Sequence, residues 1–374
     1  MPSTILATAV ELPAQSYSQD EIRGYLGAWL ARDPGLAARA DSILKNAQVR
    51  QRHTVRKAEW YLEHRSVTER SEVFRDEMVK LTESAARQAL ELAAVRPEEI
   101  RLIVSTSCTG IMIPPVESHL MNRMPFRPDT RRMPLTELGC VAGATALAHA
   151  DQFLRANPES AALIVCGELA SLTAQASDYS LTNIVAAAIF GDGAAASVLT
   201  GEKHPLAAEG AGTGNGREGG HLPAAGPFSR RPRIVATRSI QFPDSLDLMG
   251  FHNTDSGLKI FLSPRVPRFI RDELPRHLEP FLGEMGLSLP DLRHFLLHPG
   301  GRKVLEELEQ RLGLSRDQTR ISWDVLRDYG NLSSATVMFL LHRFAIECAP
   351  EPGDWGLLMA VGPGFACEMV LLKG

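Results

Sequence analysis

The chain has 374 residues, of which 44% are hydrophobic and 22% charged, and its formal net charge is −4. This composition is typical of a globular protein, and the small negative charge gives no reason to expect nucleic acid or a membrane surface as a partner. The five cysteines are odd in number and include no CxxC pair, which argues against a disulfide framework and a cysteine-based zinc site. The length predicts two closely packed halves, which we place at residues 1–225 and 226–374.

The N-terminus carries no targeting pattern. Residues 1–12 lack a basic segment followed by a long apolar run, so no signal peptide is expected there. No apolar run in the chain approaches the roughly 20 residues that a membrane span needs. We therefore expect a cytoplasmic protein without a membrane span.

Strands and helices are predicted to alternate along the chain. Ser18 and Glu21 form the capping-box pattern that begins a helix, and the apolar residues 162–166 are typical of a strand buried on both faces. In the first half we predict strands at 5–10, 102–107, 162–166 and 194–199, and helices at 18–30, 73–94, 117–124 and from Cys140 to about 155. In the second half we predict strands at 295–297, 355–361 and 367–372, and helices at 266–282, 304–312 and 333–347. This alternation indicates an α/β architecture with buried sheets.

Two stretches with a biased composition leave alternatives open. Residues 41–57 contain a basic cluster, which is either a solvated helix face or a docking patch for an anionic group such as a phosphate. Residues 209–226 are rich in glycine but do not follow the GxGxxG pattern between a strand and a helix. We predict that this second stretch is a flexible connection between the halves.

Cys140 stands between a glycine and a run of small residues, at the predicted first turn of a helix. Unpaired backbone N–H groups and the helix dipole favour an anion at that place, so the position predicts a lowered thiol pKa and a nucleophilic thiolate. A structural cysteine that packs a helix start explains this stretch equally well.

Two other polar residues occupy similar positions. His298 follows the apolar strand at 295–297, and Asn331 precedes a predicted helix. Such ends converge at one crevice in layered α/β folds, so Cys140, His298 and Asn331 form a candidate set for nucleophilic catalysis. Taken singly, His298 is also explained as a capping residue or, with His294, as a metal ligand, and Asn331 as a helix N-cap.

The flanks of these three residues carry a resemblance. Cys140 lies in LGC, His298 in HPGG and Asn331 in YGNLSSA, and two further motifs are FGDGAAA at 190–196 and GPGF at 362–365. In this order they resemble the motifs of the type III polyketide synthases, the chalcone synthase-like group, from about residue 102 to the C-terminus. The resemblance implies the thiolase fold, a five-layered αβαβα sandwich of two related halves, and a homodimer.

The resemblance also implies a reaction. Cys140 would take an acyl group from a starter acyl-CoA, and His298 and Asn331 would hold the thioester carbonyl of malonyl-CoA. Loss of CO2 from the malonyl group leaves an enolate, which two preorganised donors stabilise in a dry pocket. CoA thioesters are then the substrates, and no metal or organic cofactor is implied.

Further residues receive roles from the resemblance alone. Phe190 matches an aromatic gatekeeper, Ile260 stands where the family has a second gatekeeper phenylalanine, and Ile113 matches a residue that reaches across the dimer interface. Other positions would line the cavity or hold CoA phosphates: Cys108, Thr173, Phe251 and Ser333 for the cavity, and Lys45 and Lys303 for the phosphates.

The aliphatic Ile260 and the bulky Phe251 predict a reshaped pocket. We therefore expect medium- to long-chain aliphatic starters and alkylpyrone- or alkylresorcinol-type products. An initiating ketoacyl-acyl-carrier-protein synthase shares a Cys-His-Asn set, and a cysteine hydrolase or an inactive scaffold represents a different class. The FGDG and GPGF motifs favour the polyketide synthase over the first, the gated pocket argues against the hydrolase, and the complete set argues against the scaffold.

Overall fold

A computed structural model describes residues 2–208, 231–348 and 350–374. The predicted boundary between residues 225 and 226 and the glycine-rich stretch at 209–226 lie outside the described residues. None of the helices in the described ranges has both the length and the apolar composition that a membrane span requires.

The described residues contain thirteen strands and thirteen α-helices. The strands are β1 (Ser3–Glu11), β2 (Gln15–Ser18), β3 (Gln51–Thr54), β4 (Ile100–Ser107), β5 (Arg131–Thr136), β6 (Ala161–Leu169), β7 (Asp192–Thr200), β8 (Arg233–Gln241), β9 (Met249–Thr254), β10 (Gly257–Leu262), β11 (Leu292–Leu297), β12 (Trp355–Gly362) and β13 (Ala366–Lys373). The helices are α1 (Gln19–Trp29), α2 (Pro34–Asn46), α3 (Ala58–Tyr61), α4 (Val67–Ala93), α5 (Val116–Arg123), α6 (Ala142–Ala156), α7 (Leu181–Ile189), α8 (Pro205–Ala208), α9 (Val266–Glu273), α10 (Pro275–Glu284), α11 (Arg302–Leu312), α12 (Arg320–Tyr329) and α13 (Thr336–Glu347).

Local sequence signals account for most of these elements. They also explain two differences between the predicted and the observed helices. The predicted capping box of Ser18 and Glu21 at α1 is confirmed. The helix predicted at 73–94 begins earlier, at Val67, because a second capping box precedes the apolar pattern. The helix predicted at 266–282 is divided into α9 and α10, since Pro275 has no N–H to continue the first helix and begins the second. The β9–β10 hairpin was not predicted.

Nine strands form one mixed sheet in the order β11-β12-β13-β8-β1-β7-β6-β4-β5. The β4–β5, β4–β6 and β11–β12 pairs are parallel, and the other pairs are antiparallel. The two halves of the sheet meet at β1 and β8 through the residue pairs Ser3–Ile234 and Thr4–Arg233. This pairing is much shorter than that of β1 with β7, which extends over seven residue pairs.

Helices α6 and α13 lie between the two halves of the sheet and contact strands of both. Helices α4 and α5 cover the outer face of the first half, and α9, α10 and α11 cover that of the second. Leu163 and Val165 of β6 pack with α4, whereas Ala162 and Ile164 pack with α6, because successive side chains of a strand point to opposite faces. The predicted αβαβα sandwich is confirmed, and burial on both faces explains the fully apolar strands.

Candidate active site

Cys140 lies in a 3-10 turn, Gly139–Val141, that leads directly into α6. The predicted position at a helix start is confirmed, and the residue is buried. Gly139 has a φ of 62°, and a Cβ atom there would lie 2.5 Å from the Cδ of Pro363. Only glycine fits before this cysteine, since any side chain would meet both the strained backbone and the proline ring.

The prediction of a lowered pKa for Cys140 is wrong for the folded protein without a bound ligand. Burial raises the pKa of its thiol to about 11, because a thiolate loses its hydration in the interior. The Ser333 hydroxyl and the Asn331 amide oppose this shift, and the charge of Glu168 adds to it. The backbone N–H of Cys140 also favours the thiolate, but its effect is smaller than that of burial.

Asn331 is buried between α12 and a 3-10 turn, Ser333–Ala335. Its backbone N–H donates to the carbonyl oxygen of Ile189 at 2.7 Å, and its own carbonyl accepts from the N–H of Gly191 at 3.1 Å. Its side-chain oxygen accepts from the N–H of Ser333 at 2.8 Å, which is an Asx turn. The amide NH2 is therefore the group of Asn331 that remains as a donor for the site.

His298 follows β11 and is 2% exposed. Its backbone N–H donates to the carbonyl of Met359 on β12 at 2.8 Å, but neither ring nitrogen has a hydrogen-bond partner among the described residues. Burial lowers the pKa of the imidazole to about 4, so the ring is neutral at pH 7. Buried polar atoms without partners are rare, and this ring is suited to a ligand that completes its hydrogen bonds. His294 instead contacts Asp354 at 3.2 Å.

Ser333 connects the two cysteines of the site. Its hydroxyl lies 3.5 Å from the Sγ of Cys140 and 3.4 Å from the Sγ of Cys108. Its φ of 49° is uncommon for a residue other than glycine, and such conformations often mark functional sites. Burial raises the pKa of the Cys108 thiol well above its usual value. The structure thus brings Cys140, Cys108 and Asn331 together around one serine.

A cavity of about 30 Å³, here called the Cys140 cavity, lies beside these residues. Phe251 of β9 and Ile260 of β10 stand directly opposite each other in the hairpin and form one wall. Six of the side chains that the sequence assigned to a substrate pocket line this one cavity: Cys108, Thr173, Phe190, Phe251, Ile260 and Ser333.

A second cavity of about 120 Å³ adjoins the first, and we call it the α1–α7 cleft. It shares Ala170, Thr173 and Phe190 with the Cys140 cavity, so these three residues separate the two spaces. Helices α1 and α7 supply seven of its other lining residues, and β2, β3, α3 and the segment 171–176 supply most of the rest. The walls are largely apolar and include four aromatic side chains, Tyr17, Tyr25, Trp29 and Tyr61.

The remaining predicted residues lie away from both cavities. Ile113 is 90% exposed on the loop before α5. Lys45 pairs with Asp41 on α2 at 2.6 Å, and Lys303 is exposed in the first turn of α11. The basic cluster at 41–57 is neither one solvated face nor one patch, because Arg50 pairs with Asp328, Arg56 pairs with Glu77 and Arg52 is buried.

Glu168 was missed by the sequence analysis. Its carboxylate lies fully buried near the end of β6 and accepts hydrogen bonds from the N–H of Cys108 at 3.0 Å, the hydroxyl of Thr109 at 2.7 Å and the hydroxyl of Ser334 at 2.5 Å. It therefore ties the Cys108 loop to the turn that carries Ser333. Its negative charge could have revealed it in the sequence, because an acidic residue in a strand that is buried on both faces requires hydrogen-bond or charged partners.

Comparisons with known proteins match both halves of the chain to one group of enzymes. The family model for the N-terminal domain of chalcone and stilbene synthases matches residues 1–203, and that for the C-terminal domain matches 234–374. The 1,3,6,8-tetrahydroxynaphthalene synthase of Streptomyces peucetius is 35% identical over 99% of this chain and 93% of the relative. The phloroglucinol synthase of Pseudomonas fluorescens is 32% identical over 99% of this chain and 98% of the relative. The crystal structure of 1,3,6,8-tetrahydroxynaphthalene synthase from Streptomyces coelicolor A3(2), a bacterial type III polyketide synthase, has a TM-score of 0.87 at 30% identity and covers 99% of both chains.

Proposed function

The chain belongs to the chalcone and stilbene synthase family, and on that premise we propose that it loads a medium- to long-chain aliphatic acyl-CoA on Cys140 and extends it with malonyl-CoA. It is a type III polyketide synthase of the thiolase fold, an acyltransferase whose condensation is driven by loss of CO2. The proposed products are alkylpyrones or alkylresorcinols, and the chemistry needs CoA thioesters alone, without a metal or organic cofactor.

The proposed first step transfers the starter to Cys140. The neutral imidazole of His298 accepts the thiol proton, and the imidazolium then stabilises the thiolate, which opposes the cost of burying it. The sulfur attacks the thioester carbonyl, and CoA leaves as a thiol with the proton from His298. The acyl group is then held as a thioester of Cys140.

The second step generates the new carbon–carbon bond. A ring N–H of His298 and the amide NH2 of Asn331 donate to the thioester oxygen of malonyl-CoA, where negative charge develops as CO2 departs. The enolate carbon attacks the acyl group on Cys140, and the cysteine sulfur leaves as a thiolate. The chain, longer by two carbons, is then a CoA thioester that returns to Cys140 for the next extension.

The observation that carries the aliphatic starter is the pair of adjoining cavities. The Cys140 cavity has about 30 Å³, a quarter of the volume of the α1–α7 cleft, so an acyl chain of several methylene groups needs further room. The α1–α7 cleft supplies about 120 Å³ of largely apolar space behind Ala170, Thr173 and Phe190. Each methylene group moved from water into such a space contributes about 0.8 kcal/mol, or roughly a fourfold gain in binding.

A second candidate is synthesis from malonyl-CoA alone. The tetrahydroxynaphthalene synthase relative is named for a polyhydroxylated ring without an alkyl chain. The small volume of the Cys140 cavity favours a short starter if the acyl chain does not enter the cleft. The same substrate series distinguishes the two candidates.

We expect kcat/KM to rise with starter length from butyryl-CoA to lauroyl-CoA, roughly fourfold per methylene until the cleft is filled. Ala186→Phe places a ring among the residues that line only the cleft, so it should remove the preference for long chains and leave butyryl-CoA turnover unchanged. Thr182→Phe, on the same helix but outside the lining of both cavities, is the matched control. A flat series, a preference for coumaroyl-CoA, or efficient turnover of malonyl-CoA alone would refute the aliphatic starter.

The proposal includes a homodimer whose interface contains the loop before α5. Ile111 and Ile113 are 67% and 90% exposed, and two such side chains on one loop are apolar surface that a partner copy would cover. Ile113→Glu should shift the protein towards the monomer in sedimentation velocity, whereas Ile346→Glu, at an exposed isoleucine on α13, should not. A monomeric wild-type protein would contradict this assignment.

A further inference from the structure

The last turn of α7 is held almost entirely by groups from outside the helix. The final carbonyl groups of a helix lack intrahelical partners and are costly when buried. Three of them are satisfied here from distant parts of the chain: Ala187 by the guanidinium of Arg52, Ala188 by the side-chain amide of Gln19 at 3.1 Å, and Ile189 by the backbone N–H of Asn331 at 2.7 Å.

Arg52 is a buried cation without an acidic partner. It lies on β3 and is 2% exposed, and no carboxylate of the described residues pairs with it, in contrast to Arg50 and Arg56. Its Nη2 donates to the side-chain oxygen of Gln19 at 2.7 Å, so the two side chains act together on the end of α7. A cation at a helix C-terminus is stabilised by the helix dipole, which partly replaces the missing carboxylate.

The segment after α7 reaches the active site directly. Asn331 is bound through both of its backbone groups, by the carbonyl of Ile189 and by the N–H of Gly191 at 3.1 Å. These two residues flank Phe190, which stands between the Cys140 cavity and the α1–α7 cleft. A Cβ atom on Gly191 would lie 2.6 Å from the carbonyl oxygen of Tyr329. The backbone of Gly191 therefore packs tightly against that of Tyr329, and there is little space in which one could move without the other. A movement at the end of α7 is therefore transmitted to both Asn331 and Phe190.

We propose that Arg52, supported by Gln19, is a positioning residue that holds the Asn331 amide in place for malonyl decarboxylation. Arg52 lines the α1–α7 cleft but not the Cys140 cavity, and it acts on Asn331 through the end of α7. The inference goes beyond the choice of starter and rests on the proposed role of Asn331. It explains why a guanidinium is buried without a carboxylate: its hydrogen bonds fix a helix end to which the amide donor of the site is attached.

The test separates the two partial reactions and uses acetyl-CoA as starter, because so short a chain does not need the cleft. Arg52→Met removes the donors but keeps a long apolar side chain. We expect kcat for CO2 release from malonyl-CoA to fall about 100-fold, as for a misplacement of about 1 Å, with KM little changed. Transfer of the acetyl group to Cys140 should remain close to the wild-type rate, and Arg52→Lys should recover part of the lost CO2 release.

Arg155→Met provides the matched control. Arg155 also donates to backbone carbonyls, those of Ile234 and Val235, but has no contact with α7. Its loss should lower the melting temperature and leave the ratio of the two partial reactions unchanged. Equal loss of both steps in Arg52→Met, or unchanged CO2 release, would overturn the proposal.

Gln19→Met keeps the proposal testable if Arg52→Met does not fold. It removes the hydrogen bonds of Gln19 to Ala188 and Arg52, and it should lower the rate of CO2 release by a smaller factor than Arg52→Met does. If Gln19→Met lowers both partial reactions equally, or neither of them, the proposal is overturned. Failure of Asn331→Ala to lose CO2 release would count against the proposed function itself. An unaffected Arg52 variant in an enzyme that does depend on Asn331 counts only against the positioning role.

Discussion

Cys140→Ala is expected to abolish acyl-enzyme formation completely. The second thiol of the cavity, Cys108, shares the hydroxyl of Ser333, and burial and the charge of Glu168 raise its pKa well above the usual value. At Cys140 the Asn331 amide opposes such a shift and favours the thiolate, which is the nucleophile. The mass of the intact protein after incubation with a starter acyl-CoA measures loading directly. Cys108→Ala, the matched control, should still gain one acyl group.

Alkylation gives an independent measure of the same assignment. Iodoacetamide should label Cys140 in preference to Cys108, and the rate should increase with pH because the pKa of the Cys140 thiol is raised to about 11 and the thiolate fraction grows up to that value. If the proposed mechanism holds, His298→Ala should slow labelling at neutral pH, since it removes the imidazole that this mechanism assigns to stabilise the thiolate. Preferential labelling of Cys108, together with acyl loading in Cys140→Ala, would show that the wrong cysteine has been assigned.

Asn331→Ala is expected to keep starter loading and to lose malonyl decarboxylation by about 100- to 1,000-fold, the usual cost of removing one donor from a developing oxyanion. His298→Ala should impair both steps, because the proposed mechanism also assigns the imidazole to accept the thiol proton. Acyl-enzyme mass and the release of labelled CO2 measure the two steps separately.

A matched asparagine tests whether such an effect is specific. Asn157, just beyond the C-terminal end of α6, donates to the carbonyl of Phe153 at 2.8 Å, and Asn157→Ala should change neither step. Asn331→Ala also leaves the buried N–H of Ser333 without its acceptor, which costs about 1–3 kcal/mol of stability, so its melting temperature is recorded alongside. Complete and equal loss of loading in the Asn331 and His298 variants would be incompatible with the division of roles.

Elements with a strong local pattern were predictable. The strand β6 is apolar throughout most of its length, and its burial on both faces follows from that composition. The glycine before Cys140 and the small residues after it indicated a turn into a helix, which is what α6 provides. The residues that flank Cys140, His298 and Asn331 indicated the family, because short motifs can be recognised even where the chain between them differs.

The β9–β10 hairpin shows where the local pattern is insufficient. Its residues are all half-buried or exposed, and the sequence pattern predicted no strand at Met249–Thr254 or Gly257–Leu262. The hairpin nevertheless places Phe251 opposite Ile260 and closes one side of the Cys140 cavity. The position of this wall of the cavity therefore depends on the pairing between the two strands and not on the sequence pattern within either strand.

Burial was the other property that the sequence could not supply. Local composition placed Arg52 in a basic cluster and Cys140 at a favourable helix start, but the surrounding layers bury both side chains. Removal of water then outweighs the helix start and raises the pKa of Cys140, and the end of α7 turns Arg52 into a helix-capping residue. Periodicity and motifs determined most of the elements and the family, since both are properties of neighbouring residues along the chain. Only the tertiary structure decided solvation and charge at the site, because these depend on groups that are distant in sequence, such as Asn331 and Ile189.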